Sequence, residues 1–178
     1  MSAEAKKKID EQREKENRLA SLCDEYFERI AHYIYVRLGD RNEAEDLAGD
    51  VFLKALESLK SYKERGIPMQ AWLFRIAHNV LVDRLRKKAR TATVPIDDVT
   101  IAAGEDPVTA AEKNIEMERV NEAMQKLTPE QREVVRLRFF GGLSSKEVGA
   151  ILSKSDGAVR EMQRAAIQKL RGLLTSEF

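Results

Sequence analysis

A single cysteine, Cys23, rules out an internal disulfide and any cysteine-rich zinc site. It lies on an apolar helical face, which reads as a small buried side chain rather than a reactive thiol. Four prolines and nine glycines in 178 residues leave few places to break a helix, and there is little that reads as β-strand. No apolar run approaches the roughly 20 residues of a membrane span. The opening MSAEAKKKIDEQ lacks the apolar core of a signal peptide, so a cytoplasmic protein with no membrane contact is expected. Catalytic chemistry has little to stand on. His32 and His78 fall in different helices without ligand-spaced partners, and neither a phosphate-cradling glycine loop nor a nucleophile elbow is present. No enzyme, no cofactor and no metal are expected.

What the chain does have is charge, and the charge is segregated. The net value is only +1, too little for a simple basic coat around nucleic acid. Yet Arg84–Arg90 (RLRKKAR) holds five positive residues and no negative one. From Thr91 to Ala123, eight acidic residues stand against Lys113 and Arg119, a net of −6. The last helix is basic again. Segregation of this kind speaks about partners rather than fold.

The hydrophobic pattern is helical throughout. Residues 1–18 are mostly Lys, Arg, Glu, Gln and Asp, a charged helix or tail to which no role is assigned. Leu19, Leu22, Cys23, Tyr26, Phe27, Ile30, Ile34 and Leu38 then form one stripe that stops at Gly39. A second helix is expected from an Asn42 cap with Glu45 at the capping-box position. Its buried face would be Leu47, Ala48, Val51, Phe52, Ala55, Leu56 and Leu59, opposite the acidic Glu43, Glu45, Asp46, Asp50 and Glu57. A polar loop, Lys60–Pro68, precedes a long helix from about Met69 to Arg90 striped by Trp72, Leu73, Ile76, Ala77, Val80, Leu81 and Leu85. Trp72 reads as core. These helices make a first domain, 19–90. Residues 91–108, with Pro95, Gly104 and Pro107, carry no periodicity and read as an acidic linker. A second domain, 109–178, begins with a helix striped by Ala110, Ile115, Met117, Val120, Met124 and Leu127.

Within it, LTPEQREVVRLRFFGGLSSKEVGAILSKSDGAVREMQRAAIQKLRGLL carries two capping boxes, Thr128 with Gln131 and Ser144 with Glu147. The first helix buries Val134, Val135, Leu137 and Phe139 and stops at Gly141-Gly142. The second is short, with Gly149 in its middle, where glycine costs about 1 kcal/mol relative to alanine. Close approach of the neighbouring helix is the expected reason. Ser155 caps a third helix, with Val159, Met162, Ala166, Leu170 and Leu173 on its apolar face. Two short helices followed by a longer basic one describe a helix-turn-helix. Lys154, Arg160, Gln163, Arg164, Lys169 and Arg171 point outward, with Ser155 and Asp156 at the start of the reading helix. Arg and Gln reach guanine and adenine edges in the major groove, and Lys and Arg meet phosphates.

The order of parts, AEDLAGDVFLKAL, then AWLFRIAHNVLVDRLRKKAR, an acidic linker and LTPEQREVVRLRFFGGLSSKEVGAILSKSDGAVR, closely resembles the extracytoplasmic-function (ECF) sigma factors of bacterial RNA polymerase over roughly residues 19–174. The resemblance implies an all-α fold of two small helical domains, region 2 and region 4, joined by a flexible linker. It implies a promoter-specificity subunit whose partners are core polymerase and promoter DNA. Glu45, Asp46 and Asp50 would meet the clamp helices of the largest subunit, and region 4 the flap. The loop residues Lys60, Tyr62 and Lys63 and the helix residues Arg75, Asn79 and Asp83 would hold the −10 element as single strand. Asn79 would serve a flipped base, and Arg84, Arg86, Lys87 and Lys88 the phosphates. The acidic linker would occupy the path of nucleic acid, and the last helix would read the −35 element. Glu161-Met162 stand where the family commonly carries Ser-Arg. The sequence leaves room for a separate anti-sigma protein. The alternative is a helix-turn-helix regulator with an amino-terminal sensing or dimerisation module, which would bind DNA without polymerase.

Overall fold

The computed structural model describes residues 2–91 and 110–175. Seven α-helices and no strand occur among the described residues: α1 Ala3–Leu38, α2 Arg41–Ser58, α3 Met69–Thr91, α4 Ala110–Gln125, α5 Pro129–Val135, α6 Ser145–Leu152 and α7 Asp156–Thr175. The all-α architecture follows the sequence reading. The linker assigned to 91–108 lies, apart from Thr91, outside the described residues.

Helix α1 is continuous from Ala3, so the charged stretch before Leu19 extends the same rod. Gly39 ends it in the left-handed region (φ 72°), its N–H returning to the Tyr35 carbonyl at 2.8 Å. That tight reversal makes Asp40 the first extended residue, and Asp40 rather than Asn42 caps α2 through the Glu43 N–H at 3.0 Å. A 3-10 turn, Leu59–Ser61, leads into the loop before α3.

Helices α1, α2 and α3 bury Ile30, Tyr33, Ile34, Val51, Leu59, Leu73, Phe74 and Leu81 almost completely. At roughly 1.5–3 kcal/mol for each large apolar side chain, this cluster dominates the stability of the fold. It does not stop at the first domain. Val134, Leu137, Leu143, Val148, Ile151 and Val159 belong to the same contiguous core, against a second cluster of only Met124, Leu127, Val135 and Ala166. The helix-turn-helix thus rests its inner side on α1 and α3.

The end of α5 is not α-helical. Arg136–Phe140 winds as one π turn, with Gly141 N–H bonded to the Arg136 carbonyl at 3.0 Å. The extra residue rotates Phe139 out to 58% exposure, whereas a plain α pattern would bury it. Phe140 turns instead onto His32 of α1, ring centroids 5.5 Å apart.

Candidate nucleic-acid and polymerase interfaces

The helix-turn-helix is built by its caps. Thr128 and Gln131 exchange bonds of 3.2 and 3.1 Å, and Ser144 and Glu147 bonds of 3.1 and 2.7 Å. Ser153 ends α6 in the left-handed region (φ 56°), and Ser155 caps α7 through the Ala158 N–H at 3.1 Å. Gly149 is buried, and a Cβ there would sit 2.5 Å from the Lys154 carbonyl oxygen. The close approach is therefore made by the turn's own backbone rather than by the following helix.

On α7, Arg160 and Arg164 are exposed, one turn apart. Arg160 reaches back to Asp156 at 2.7 Å, and Arg164 lies 3.9 Å from Glu161. Asp156 also accepts the Ser145 hydroxyl. That hydrogen bond foremost, with the charge of Arg160, holds its carboxyl below the usual range. Gln163 is half-buried and accepts from Arg138 Nε at 2.7 Å, and Lys154 pairs with Glu130 at 3.1 Å. Helix α7 thus presents its arginines outward, while Gln163 and, in the turn before it, Lys154 are tied inside the chain.

The loop before α3 surrounds a recess of about 380 Å³ lined by Tyr62, Lys63, Arg65, Trp72 and Arg75 among others. Tyr62 is only 6% exposed, its ring 4.7 Å from that of Trp72 and its hydroxyl bonded to the Ile67 carbonyl at 3.1 Å. Trp72 is accordingly half-buried, a wall of the recess as well as part of the core. Arg65 was not singled out from sequence; its only signal was a cation in a short loop. Arg75 is engaged by the carbonyl of Ala150 on α6. Asn79, Asp83, Lys60, Lys63 and Lys87 are exposed, and Asp83 lies 3.9 Å from Arg86. Arg84 and Lys88 both clamp Glu43 of α2. Burial would raise the Glu43 carboxyl, but these two cations outweigh it and lower it. Glu43, expected on a solvated face, is a structural anchor between α2 and α3.

On α2, Asp46 and Asp50 are exposed, while Glu45 pairs with Arg41 at 3.0 Å. Leu56, expected in the core, is 54% exposed, and Leu53 is 60% exposed. Leu53 shares its face with Asp46, Asp50 and Glu57 at helical steps of three and four. The periodicity around Leu56 was ambiguous because it sits at the edge between the buried and acidic faces.

Between the domains lies a buried charge network. Glu133 of α5, Arg37 of α1 and Arg136 are each under 10% exposed. The Glu133 carboxylate accepts the Tyr33 hydroxyl, approaches His78 Nδ1 at 3.1 Å, and lies 3.5 Å from Arg37 and 3.6 Å from Arg136. Burial alone would push this carboxyl up. The His78 contact, the two arginines and the tyrosine hydroxyl outweigh it and hold it at about 2. Nearby, Arg29 donates to the Gly141 carbonyl at 2.7 Å and Gln70 to Glu147 at 3.3 Å. Nothing in the sequence pattern distinguished Glu133 from the solvated acids around it.

Residues 22–91 match Sigma-70 region 2, and residues 123–172 match Sigma-70, region 4. The ECF RNA polymerase sigma factor SigW of Bacillus subtilis is 30% identical over 165 residues, covering 85% of this chain and 86% of SigW. The chain belongs to the ECF sigma factors. Such factors are non-catalytic promoter-specificity subunits of RNA polymerase. The ECF sigma factor BldN of Streptomyces coelicolor is also 30% identical, over 88% of this chain, although the chain spans only 60% of the length of BldN. In solved structures, the sigma factor RpoE in complex with the anti-sigma factor NepR, from Bartonella quintana, shares the fold. That match has a TM-score of 0.65 at 22% identity, over 89% of this chain and 98% of RpoE. No helix among the described residues is long and apolar enough to cross a membrane.

Proposed function

We propose that this ECF sigma factor docks on core RNA polymerase through the outer face of α2, reads the −10 element with the loop and recess at the start of α3, and reads the −35 element with α7. It acts in the cytoplasm without catalysis of its own. The observation that carries this reading is the pairing, in one chain, of a region 2 fold bearing a loop-walled recess with a region 4 helix-turn-helix bearing outward arginines. In this assignment Asp46, Asp50, Leu53 and Leu56 meet the clamp helices. Lys63, Arg65, Arg75 and Asn79 serve the unpaired strand, and Arg86 and Lys87 the phosphates. Flipping a base into the recess costs a few kcal/mol, which stacking and polar contacts there would offset. The apolar groove of Val120, Met124, Val135 and Phe139 suits the flap. An anti-sigma protein, such as RpoE binds, would be the second partner class.

This function requires the two domains to part. The two elements are about 25 base pairs apart, roughly 85 Å at ~3.4 Å per step. Domains sharing one core cannot touch both. The chain between Thr91 and Ala110 can extend to about 60 Å. Adding the ~11 Å radius of gyration of a roughly 70-residue domain at each end brings that reach close to the span needed. Separation frees Arg75 from the Ala150 carbonyl.

The test is transcription from a promoter pool by core polymerase plus this protein, with start sites mapped. Asp46→Arg with Asp50→Arg should abolish co-elution with core while helical circular dichroism stays unchanged. Unchanged co-elution would remove this face from the docking site.

A further inference from the structure

The first four turns of α1 project beyond the core, whose first buried members on this helix are Leu19 and Leu22. Two cations of the projecting part nevertheless cross to the loop that walls the recess. Lys15 Nζ donates to the Tyr62 carbonyl at 2.9 Å, and the Arg18 guanidinium grips both carboxylate oxygens of Glu64 at 3.0 and 3.1 Å. Arg18, by hydrogen bond and charge, holds the Glu64 carboxyl below its usual range. The loop is therefore held from two sides. On the inner side, the Tyr62 ring rests on Trp72 and its hydroxyl closes onto the Ile67 carbonyl. On the outer side, Lys15 takes the carbonyl of that same Tyr62, and Arg18 the residue two positions on.

The loop needs such support. Between the 3-10 turn and α3 it has no regular backbone ladder, and it passes through Gly66 at φ 73°. Its recess-facing cations, Lys63 and Arg65, are exposed. A binding loop left to fluctuate spends affinity on ordering itself each time it engages. One pinned beforehand keeps that free energy for discrimination.

We propose that Lys15 and Arg18 are positioning residues for −10 recognition: the amino-terminal arm of α1 braces the 62–68 loop in the shape that admits an unpaired DNA base. The inference rests on the assignment of the recess as the base site. The arm touches the loop and not the DNA, so its removal loosens base preference without removing a phosphate contact. Exposed pairs are individually weak, so each contact should account for about a two- to fivefold effect.

The experiment uses holoenzyme assembled from core polymerase and the full chain, with a promoter library randomised separately at the −10 and −35 elements. Lys15→Met with Arg18→Gln should lower discrimination at −10 positions about five- to tenfold, leaving −35 preference, co-elution with core and the salt slope as they are. Arg18→Glu alone should do the same in part, and adding Glu64→Arg should restore preference. Arg13→Gln, on the same arm but without a loop contact, should be silent. Lys63→Ala with Arg65→Ala tests the recess itself. If that pair relaxes −10 preference and the arm variants do not, the brace is wrong and the recess stands. If neither pair changes −10 preference, the recess assignment fails and takes the brace with it. An equal loss at both elements, or no rescue by the charge swap, would also overturn the brace.

Discussion

The proposed docking face and the proposed DNA-reading faces of this sigma factor differ in how their charges are engaged. On α2, Asp46 and Asp50 stand exposed beside Leu53, with no ion pair recorded for them in the structure. Several candidate DNA contacts are already bonded within the chain: Arg75 to Ala150, Arg84 and Lys88 to Glu43, Lys154 to Glu130, Arg160 to Asp156 and Gln163 to Arg138, whereas Lys63, Arg65, Asn79 and Lys87 stand exposed. On the proposed assignment, Asp46 and Asp50 need break no internal bond to dock, while α7 and the carboxyl end of α3 must exchange internal partners for phosphates and bases. Phosphate contacts thus compete with intrachain carboxylates, and their net gain is smaller than a count of basic residues suggests.

The largest expected effect comes from breaking the closed arrangement itself. Glu133→Gln keeps the shape but leaves Arg37 and Arg136 buried without their counter-charge, a loss of about 3–5 kcal/mol for a buried pair. The domains should separate, seen as a larger radius of gyration in small-angle scattering. Acid should mimic the variant. The folded Glu133 carboxyl sits near 2, below its ordinary value, so its contribution is fully present above the unfolded pKa of about 4.5 and is lost as pH falls from there toward 2. The wild type should therefore lose stability over that window, and Glu133→Gln should show a flatter profile. Coincident profiles would mean that the network does not hold the domains together.

The turn motif offers the next contrast, between two glycines eight residues apart. Gly149→Ala places a Cβ 2.5 Å from the Lys154 carbonyl, backbone that cannot swing aside. The cost should be about 1–3 kcal/mol, with thermal stability and duplex binding falling together. Gly157→Ala meets nothing within 4 Å at the start of α7 and should be neutral or stabilising by up to about 1 kcal/mol. Calorimetry on both variants checks the pair, and equal melting temperatures would contradict the geometry.

Sequence reading succeeded mostly where local chemistry decides the outcome, although Asp40 rather than Asn42 caps α2. The capping boxes at Thr128 and Ser144, the Ser155 cap and the Gly39 stop are signals within a few residues of one another, and each is present; Gly149 is crowded as expected, but by the turn's backbone rather than by the neighbouring helix. It failed where a long-range partner decides. Glu133 looks like any solvated acid until α1 and α3 bring Tyr33, Arg37 and His78 to it across about a hundred residues or fewer of intervening chain. Arg84 and Lys88 read as free phosphate ligands because nothing local shows Glu43 beneath them. Phe139 was misplaced by a π turn, whose one-residue insertion leaves no mark in a 3.6-residue pattern. The recess before α3 was legible only as a polar loop; that Trp72 and Arg65 wall it depends on how the loop folds back.

The smallest effects separate the two kinds of DNA contact, and they follow from the same difference in internal bonding. Lys87 is exposed with no partner recorded for it in the structure, whereas Lys88 is engaged by Glu43. A phosphate ligand adds roughly 0.7–0.9 to the salt slope and carries no sequence preference. Lys87→Ala should therefore flatten the slope of holoenzyme binding by about that amount and weaken all promoters alike. Lys88→Ala should change the slope less, because its charge is already partly neutralised and its loss instead loosens α2 from α3. Arg160 is the opposite case. It must leave Asp156 to reach a base edge, so Arg160→Ala gives up discrimination at one or two positions of the −35 element, at most the ~1–3 kcal/mol of a bidentate contact and less by whatever the Asp156 pair retains. Asp156→Asn should then release Arg160 and raise binding without changing which base is preferred. If Asp156→Asn shifts the preferred base instead, Asp156 reads DNA directly and is not merely the resting partner of the arginine.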